Sequence, residues 1–177
     1  FAGSETQVYV SFDDGGHWQS LRLNMAPSSV RDLVIKDDDL VAATHGRGFW
    51  ILDDITPLRQ IESKTAVSDV VLFAPTTAWR VRWNTNSDTP LPPDEPTAPN
   101  PPEGAILNYY LKSATSAPVT IEILHSNGRI VRRYSNADPV VPLPDPSTSS
   151  LPLYWYRPTQ TLSAATGMHR FTWDVHY

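Results

Sequence analysis

Residues 11–18 read Ser-Phe-Asp-Asp-Gly-Gly-His-Trp. The spacing Ser11-x-Asp13-x-Gly15-x-x-Trp18 suits a tight turn that closes a β-hairpin. Asp13 can accept backbone N–H bonds inside the turn, Gly15 can take a positive φ, and Trp18 can cap an apolar layer beneath. Four residue types at fixed offsets make the pattern specific, and every role it assigns is structural. The flanks read as strands. Gln7–Phe12 alternates, with Val8, Val10 and Phe12 on one face and Tyr9 and Ser11 on the other. Trp18–Leu23 is the return strand, with Leu21 and Leu23 facing inward.

Outward from this hairpin the strand signals continue. Val30–Lys36, Leu40–Thr44 and Phe49–Asp53 are apolar-rich runs, separated by Asp37-Asp38-Asp39 and by His45-Gly46-Arg47-Gly48. Asp54-Ile55-Thr56-Pro57 ends the series. Further on, Ala105–Leu111 is a strand, and Val119–Leu124 and Arg129–Tyr134 flank His125-Ser126-Asn127-Gly128. Asn-Gly predicts a type I′ hairpin turn, which needs two positive φ angles. Met168–Tyr177 is the last strand, with Phe171, Trp173 and Val175 alternating. Between these regions, residues 90–102 hold seven prolines in thirteen positions and favour extended backbone. A second Pro-rich stretch, 139–158, contains Tyr154-Trp155-Tyr156, which is expected to pack down rather than stand in water.

Composition narrows the class. Seventeen prolines in 177 residues argue against a mainly helical protein. The net charge of −5, with no basic block, argues against a nucleic-acid partner. No run of about 18 apolar residues is present, so no helical membrane span is expected. With no cysteine, disulfides, thiol catalysis and Cys-type zinc sites are excluded.

The hairpin pattern has the form of an Asp-box, S-x-D-x-G-x-x-W. With "VRDLVI" and "THGRGFWILDDITPL" after it, the chain resembles the end of the β-propeller in bacterial sortilin-like proteins that carry BNR (Asp-box) repeats and are often labelled glycosyl hydrolases. The resemblance extends more weakly through "LFAPTTAWR", "NPPEGAILNYYL", "VTIEILHSNGRIVRR" and "GMHRFTWDVHY". It implies an all-β chain in three parts. Residues 1–58 are a partial propeller of about one and a half blades, 59–103 a connecting segment, and 104–177 an Ig-like or fibronectin-like β-sandwich. It implies an extracellular or periplasmic location. The opening Phe-Ala-Gly-Ser-Glu-Thr reads as mid-strand and turn, so the chain is expected to be the C-terminal part of a longer protein. The open blade face around Val8, Val10 and Leu21–Leu23 is then expected to be covered by the sandwich, another copy, or the rest of the propeller.

Each chemical candidate has a structural alternative. Asp13 and Asp14 belong to a turn rather than a calcium loop, which needs six or more oxygens. Asp37–Asp39 suit a solvated hairpin turn. Asp53 and Asp54 are adjacent in a strand, so they point to opposite faces and do not form a hydrolytic pair; one is expected to cap the turn before Pro57. No Ser-His-Asp set, phosphate loop or metal cluster is indicated, and no cofactor is implied. Trp79, Trp83, Trp155 and Trp173 could offer a sugar-stacking surface, although Trp173 alternates with core residues. The ligand-binding candidates are His45 and Arg47. In an Asp-box blade the box joins the third and fourth strands, whereas the His45–Gly48 turn joins the second and third. Hairpin turns alternate ends, so His45 and Arg47 belong on the rim opposite Asp13. There an exposed Arg can hold a carboxylate or sugar hydroxyls; the alternative is an inter-blade salt bridge. The expected function is a non-catalytic binding or scaffold module for a carbohydrate or peptide. The alternative is a structural part of a glycoside hydrolase whose catalytic residues lie in missing upstream blades.

Overall fold

The computed structural model describes residues 1–61, 67–80, 94, 102–153, 156 and 159–176. The chain is mostly β, with 35% strand and almost no helix, so the all-β class stands. It divides into two compact units, Phe1–Val67 and Ser68–Tyr177.

The first unit contains two three-stranded antiparallel meanders. β1 (Ala2–Gly3), β2 (Val8–Val10) and β3 (Gln19–Ser20) form one; β4 (Val30–Lys36), β5 (Asp39–Thr44) and β6 (Phe49–Leu52) form the other. One helical turn, α1 (Thr56–Arg59), follows with Pro57 in its first turn, where a missing N–H costs nothing. The sheets share a core. Val8 packs with Leu40, Ala42, Met25 and Ile55, and Ile55 is wholly buried. Val8 and Val10, expected to need a cover, are both buried.

Three expectations about this hairpin are corrected. Phe12 does not join Val8 and Val10 inside; it is 42% exposed because regular pairing ends at Val10 and the chain enters the turn. Leu23 is exposed rather than inward: β3 is only two residues long, and Leu23 adopts φ 48, which breaks the strand alternation. Met25 supplies the buried side chain instead. Trp18 is 47% exposed and lies against Gly15, so it caps no apolar layer within the described residues.

In the second unit, β8 (Ala105–Leu111) is the central strand of a three-stranded sheet. β11 (Gly167–Trp173) lies on one side and β7 (Val70–Leu72) on the other. β7 comes from the stretch read as a connection, 59–103, and so belongs to this unit's sheet. β9 (Thr120–Leu124) and β10 (Ile130–Ser135) form a hairpin. Leu107, Tyr109 and Leu111 of β8 and Phe171 of β11 share a core with Ile121 of β9 and with Leu162; Tyr134 and Trp173 pack on its edge. The alternation of β8 puts these three residues on one face. The Tyr109 hydroxyl donates to Ser163 O at 2.9 Å and accepts from Ser163 N at 2.7 Å, pinning the chain ahead of β11. Burial raises the Tyr109 pKa above the ordinary phenol value.

The Asn127-Gly128 turn is not type I′. Gly128 has φ 83, but Asn127 is not in the left-handed region, and His125 N donates to Arg129 O at 2.8 Å. Three residues, 126–128, form the loop, with glycine in the left-handed position that such a loop requires. β11 stops at Trp173, and Val175 at φ 52 leaves the alternation. The Pro-rich segment 90–102 (Asp94 and Pro102 apart), together with Trp83, Tyr154 and Trp155, lies outside the described residues.

Gly104 precedes β8 at φ 122, and a Cβ there would stand 2.0 Å from the Trp173 carbonyl oxygen. Gly104→Ala should therefore destabilise the second unit by about 1–3 kcal/mol through left-handed strain and a backbone clash. Urea unfolding followed by Trp fluorescence checks this; an unchanged midpoint would contradict the close approach.

Candidate functional site

The turn at residues 11–17 is held by its own side chains. Ser11 Oγ accepts from Gly15 N at 2.8 Å and donates to Asp13 Oδ1 at 2.9 Å. Asp13 Oδ1 accepts from His17 N at 2.7 Å, and the other carboxylate oxygen meets His17 Nδ1. Gly15 takes φ 94, and Asp14 takes φ 53, a region Asp tolerates through local bonds. These bonds depress the Asp13 pKa below its ordinary value; the largest cause is the His17 backbone N–H, then the His17 ring and Ser11. The side chains of Ser11, Asp13 and His17 are thus occupied within the turn.

The other carboxylates near the strands also serve turns. Lys36 pairs with Asp39 across β4 and β5, leaving Asp37 and Asp38 as the loop. Asp38 O accepts from Ile55 N at 2.7 Å, and its carboxylate holds Arg59 at 2.5 Å. Asp39 Oδ1 accepts from Asp54 N at 2.9 Å. Asp54 is buried and accepts from Thr56 N and Thr56 Oγ1, immediately before Pro57. The acidic run therefore ties the chain leaving β6 back to the β4–β5 turn. Among the described residues, no group of three His, Asp or Glu side chains is placed to hold a metal.

The His45–Gly48 turn connects β5 to β6. Thr44 closes it: its N–H and its hydroxyl both donate to Gly48 O, at 3.0 and 2.7 Å. Gly46 and Gly48 take φ 83 and 66 with open space about them, so the turn is set by backbone conformation rather than by side-chain packing. Its position follows from three backbone bonds. His45 N donates to Ser29 O at 2.9 Å, Ser28 N to Thr6 O at 3.2 Å, and Val30 N to Ser4 O at 2.8 Å. These place His45 at the strand end occupied by the Ser4–Gln7 turn, whereas the Asp13 turn closes the other end of β2. His45 and Arg47 are both exposed, and Arg47 makes no ion pair among the described residues.

Sequence reasoning passed over Arg31 and Arg22, which stand at the same strand end. Arg31 sits at a bulge between Val30 and Asp32, next to the Ala43–Thr44 segment. Arg22 follows β3, level with Gln7, because Leu21 N donates to Val8 O at 2.9 Å. Neither carries a motif, and only strand pairing reveals their location. Of the four tryptophans considered for sugar stacking, Trp79 is 80% exposed, Trp173 packs on the edge of the second core and donates its ring N–H to His176 O at 3.1 Å, and Trp83 and Trp155 lie outside the described residues. No protein family, curated protein or solved structure matches this chain.

Asp13 provides a pH readout. A carboxylate whose folded pKa is depressed contributes stability above its unfolded value, and that contribution is lost as pH falls through the folded value. The Asp13 contribution should thus be intact above pH 3.8 and fade below it. Carboxyl NMR titration should place the Asp13 midpoint below 3.8, and His17→Ala should move it up; a midpoint at the ordinary value would contradict the turn's bonding.

Proposed function

We propose that this chain is the non-catalytic end of a secreted or periplasmic Asp-box β-propeller protein and serves as a binding or scaffold module for a peptide or carbohydrate ligand. The resemblance to sortilin-like BNR-repeat proteins supports this reading. So do the two packed antiparallel meanders of the first unit, as two incomplete blades, and the two small sheets around one core in the second, as an Ig-like sandwich. One observation carries the choice of binding over catalysis: the His45–Gly48 turn presents an exposed Arg47, with no ion pair among the described residues, at the strand end away from the Asp-rich turns. Asp13, Asp38, Asp39 and Asp54 are engaged with backbone N–H groups or a guanidinium, which suits structure better than general acid–base work.

Purified chain should turn over neither aryl-glycosides nor sialosides. In an array of peptides and glycans, it should retain ligands that Arg47→Ala releases, with affinity falling roughly tenfold or more on loss of a charge-assisted bidentate contact. Turnover abolished by replacing a single acidic residue would overturn the reading.

A further inference from the structure

Charge is sorted along the strands of the first unit. Among residues 1–61 there are nine carboxylates, and seven of them lie in the Asp13-Asp14, Asp37–Asp39 and Asp53-Asp54 runs. All three runs stand at strand ends away from His45, as the β2–β3 turn, the β4–β5 turn and the exit of β6. Only Glu5 and Asp32 share the His45 end, which carries Arg22, Arg31 and Arg47. The chain as a whole is acidic at −5, yet this end has three guanidinium groups against two carboxylates.

Those two carboxylates neutralise it poorly. Arg31 Nη1 meets Glu5 Oε1 at 3.4 Å, with the side chains 57% and 77% exposed, a solvated pair of little net strength. Asp32 Oδ1 is turned to its own backbone, accepting from Leu33 N at 2.9 Å. Arg22 and Arg47 have no side-chain partner among the described residues. The bulge at Arg31 matters here, because bulges re-aim side chains and leave a residue outside the regular ladder. The backbone beneath is fixed by the bonds from Val30, Ser28 and His45, so the guanidinium groups project from a rigid base.

We propose that this end of the first unit binds the carboxylate of an acidic peptide, with Arg47 and Arg31 as the planar forks and Arg22 adding to the field. Glu5 is an internal competitor that occupies Arg31 until the ligand displaces it. Planar guanidinium groups match carboxylates in pairs of parallel hydrogen bonds. Phe49, the first residue of β6, is 76% exposed directly after the turn and supplies an apolar contact for a side chain next to the ligand's carboxylate. A peptide suits this surface better than an acidic polysaccharide. Sugar hydroxyls need acceptors as well as donors, and this end is richer in donors, with three guanidinium groups against two carboxylates, of which Asp32 is turned to Leu33 N. The inference rests on the binding-module reading above and narrows its ligand.

The test is fluorescence anisotropy with a short fluorescein-labelled peptide of alternating Glu and Phe. Binding should weaken roughly tenfold or more in Arg47→Ala, and by a smaller factor in Arg31→Ala. Glu5→Gln should tighten it by about two- to fivefold, since it frees Arg31 without removing a turn contact. Raising salt from about 0.05 to 0.3 M should weaken it steadily. Circular dichroism of each variant should match the parent. Absence of peptide binding, equal affinity in Arg47→Ala, or tighter binding of an oligogalacturonate than of the peptide would overturn the inference. A neutral ligand held equally by the parent and Arg47→Ala would overturn it while leaving the module reading intact. Glycoside turnover would overturn the module reading itself.

Discussion

Three backbone hydrogen bonds decide the arrangement of the first unit: Val30 N to Ser4 O, Ser28 N to Thr6 O, and His45 N to Ser29 O. The first two tie the Ser4–Gln7 turn of the first meander to the chain entering β4, and the third ties the His45 turn to the same strand end. With that end fixed, Val8 meets Leu40 and Ala42, and Met25 and Ile55 close the remaining space. Gly3 lets the sheets approach: a Cβ there would lie 2.7 Å from Val30 Cγ1. A short sheet such as β1–β3 has too few ladder bonds to persist alone, so its stability comes from this contact. The apolar area removed from water on the shared faces is the main stabilising term.

The second unit solves the same problem differently. β8 is nearly all buried because it is central in its sheet and covered by the β9–β10 hairpin. Its polar member, Asn108, accepts from Arg170 Nε at 3.1 Å, so the buried amide is satisfied rather than left as a cost. Tyr109 contributes an aromatic ring to the core and a hydroxyl to the Ser163 backbone, which makes one side chain both filler and tether. The tilted stacking of Tyr134 on Phe171, centroids 4.7 Å apart, joins the hairpin to the sheet.

The two ends of the first unit differ because turns select different residues for different reasons. Asp is favoured where the chain reverses, since its side chain bonds nearby backbone N–H groups and tolerates positive φ. Asp14, Asp37 and Asp54 all adopt positive φ at one set of strand ends. The opposite turn uses Gly46 and Gly48 for the same geometry, so it needs no acidic residue, and Arg47 has no ion pair among the described residues. The segregation of charge is thus a by-product of turn chemistry, and it creates a surface with a distinct electrostatic character.

The sequence by itself determined the all-β class, the span of β8 to the residue, the positions of β4, β5 and β6 to within one residue, the acceptor role of Asp13 and the positive φ of Gly15. These depend on interactions between near neighbours in the chain: alternation, turn residues and side-chain-to-backbone bonds over a few positions. Alternation also suggested that Phe12, Leu23 and Val175 continue their strands, and it could not show where pairing stops, because that depends on the length of the partner strand. The Asn127-Gly128 turn depended on loop length, which the register of Ile130 against Leu124 sets. His45 and Arg47 were visible as a Gly-flanked turn, while Arg22 and Arg31 were not, because nothing local distinguishes an arginine at a rim from one on a strand face. Only tertiary structure gathered them at one end, through backbone hydrogen bonds that link Leu21 to Val8, His45 to Ser29, Ser28 to Thr6 and Val30 to Ser4.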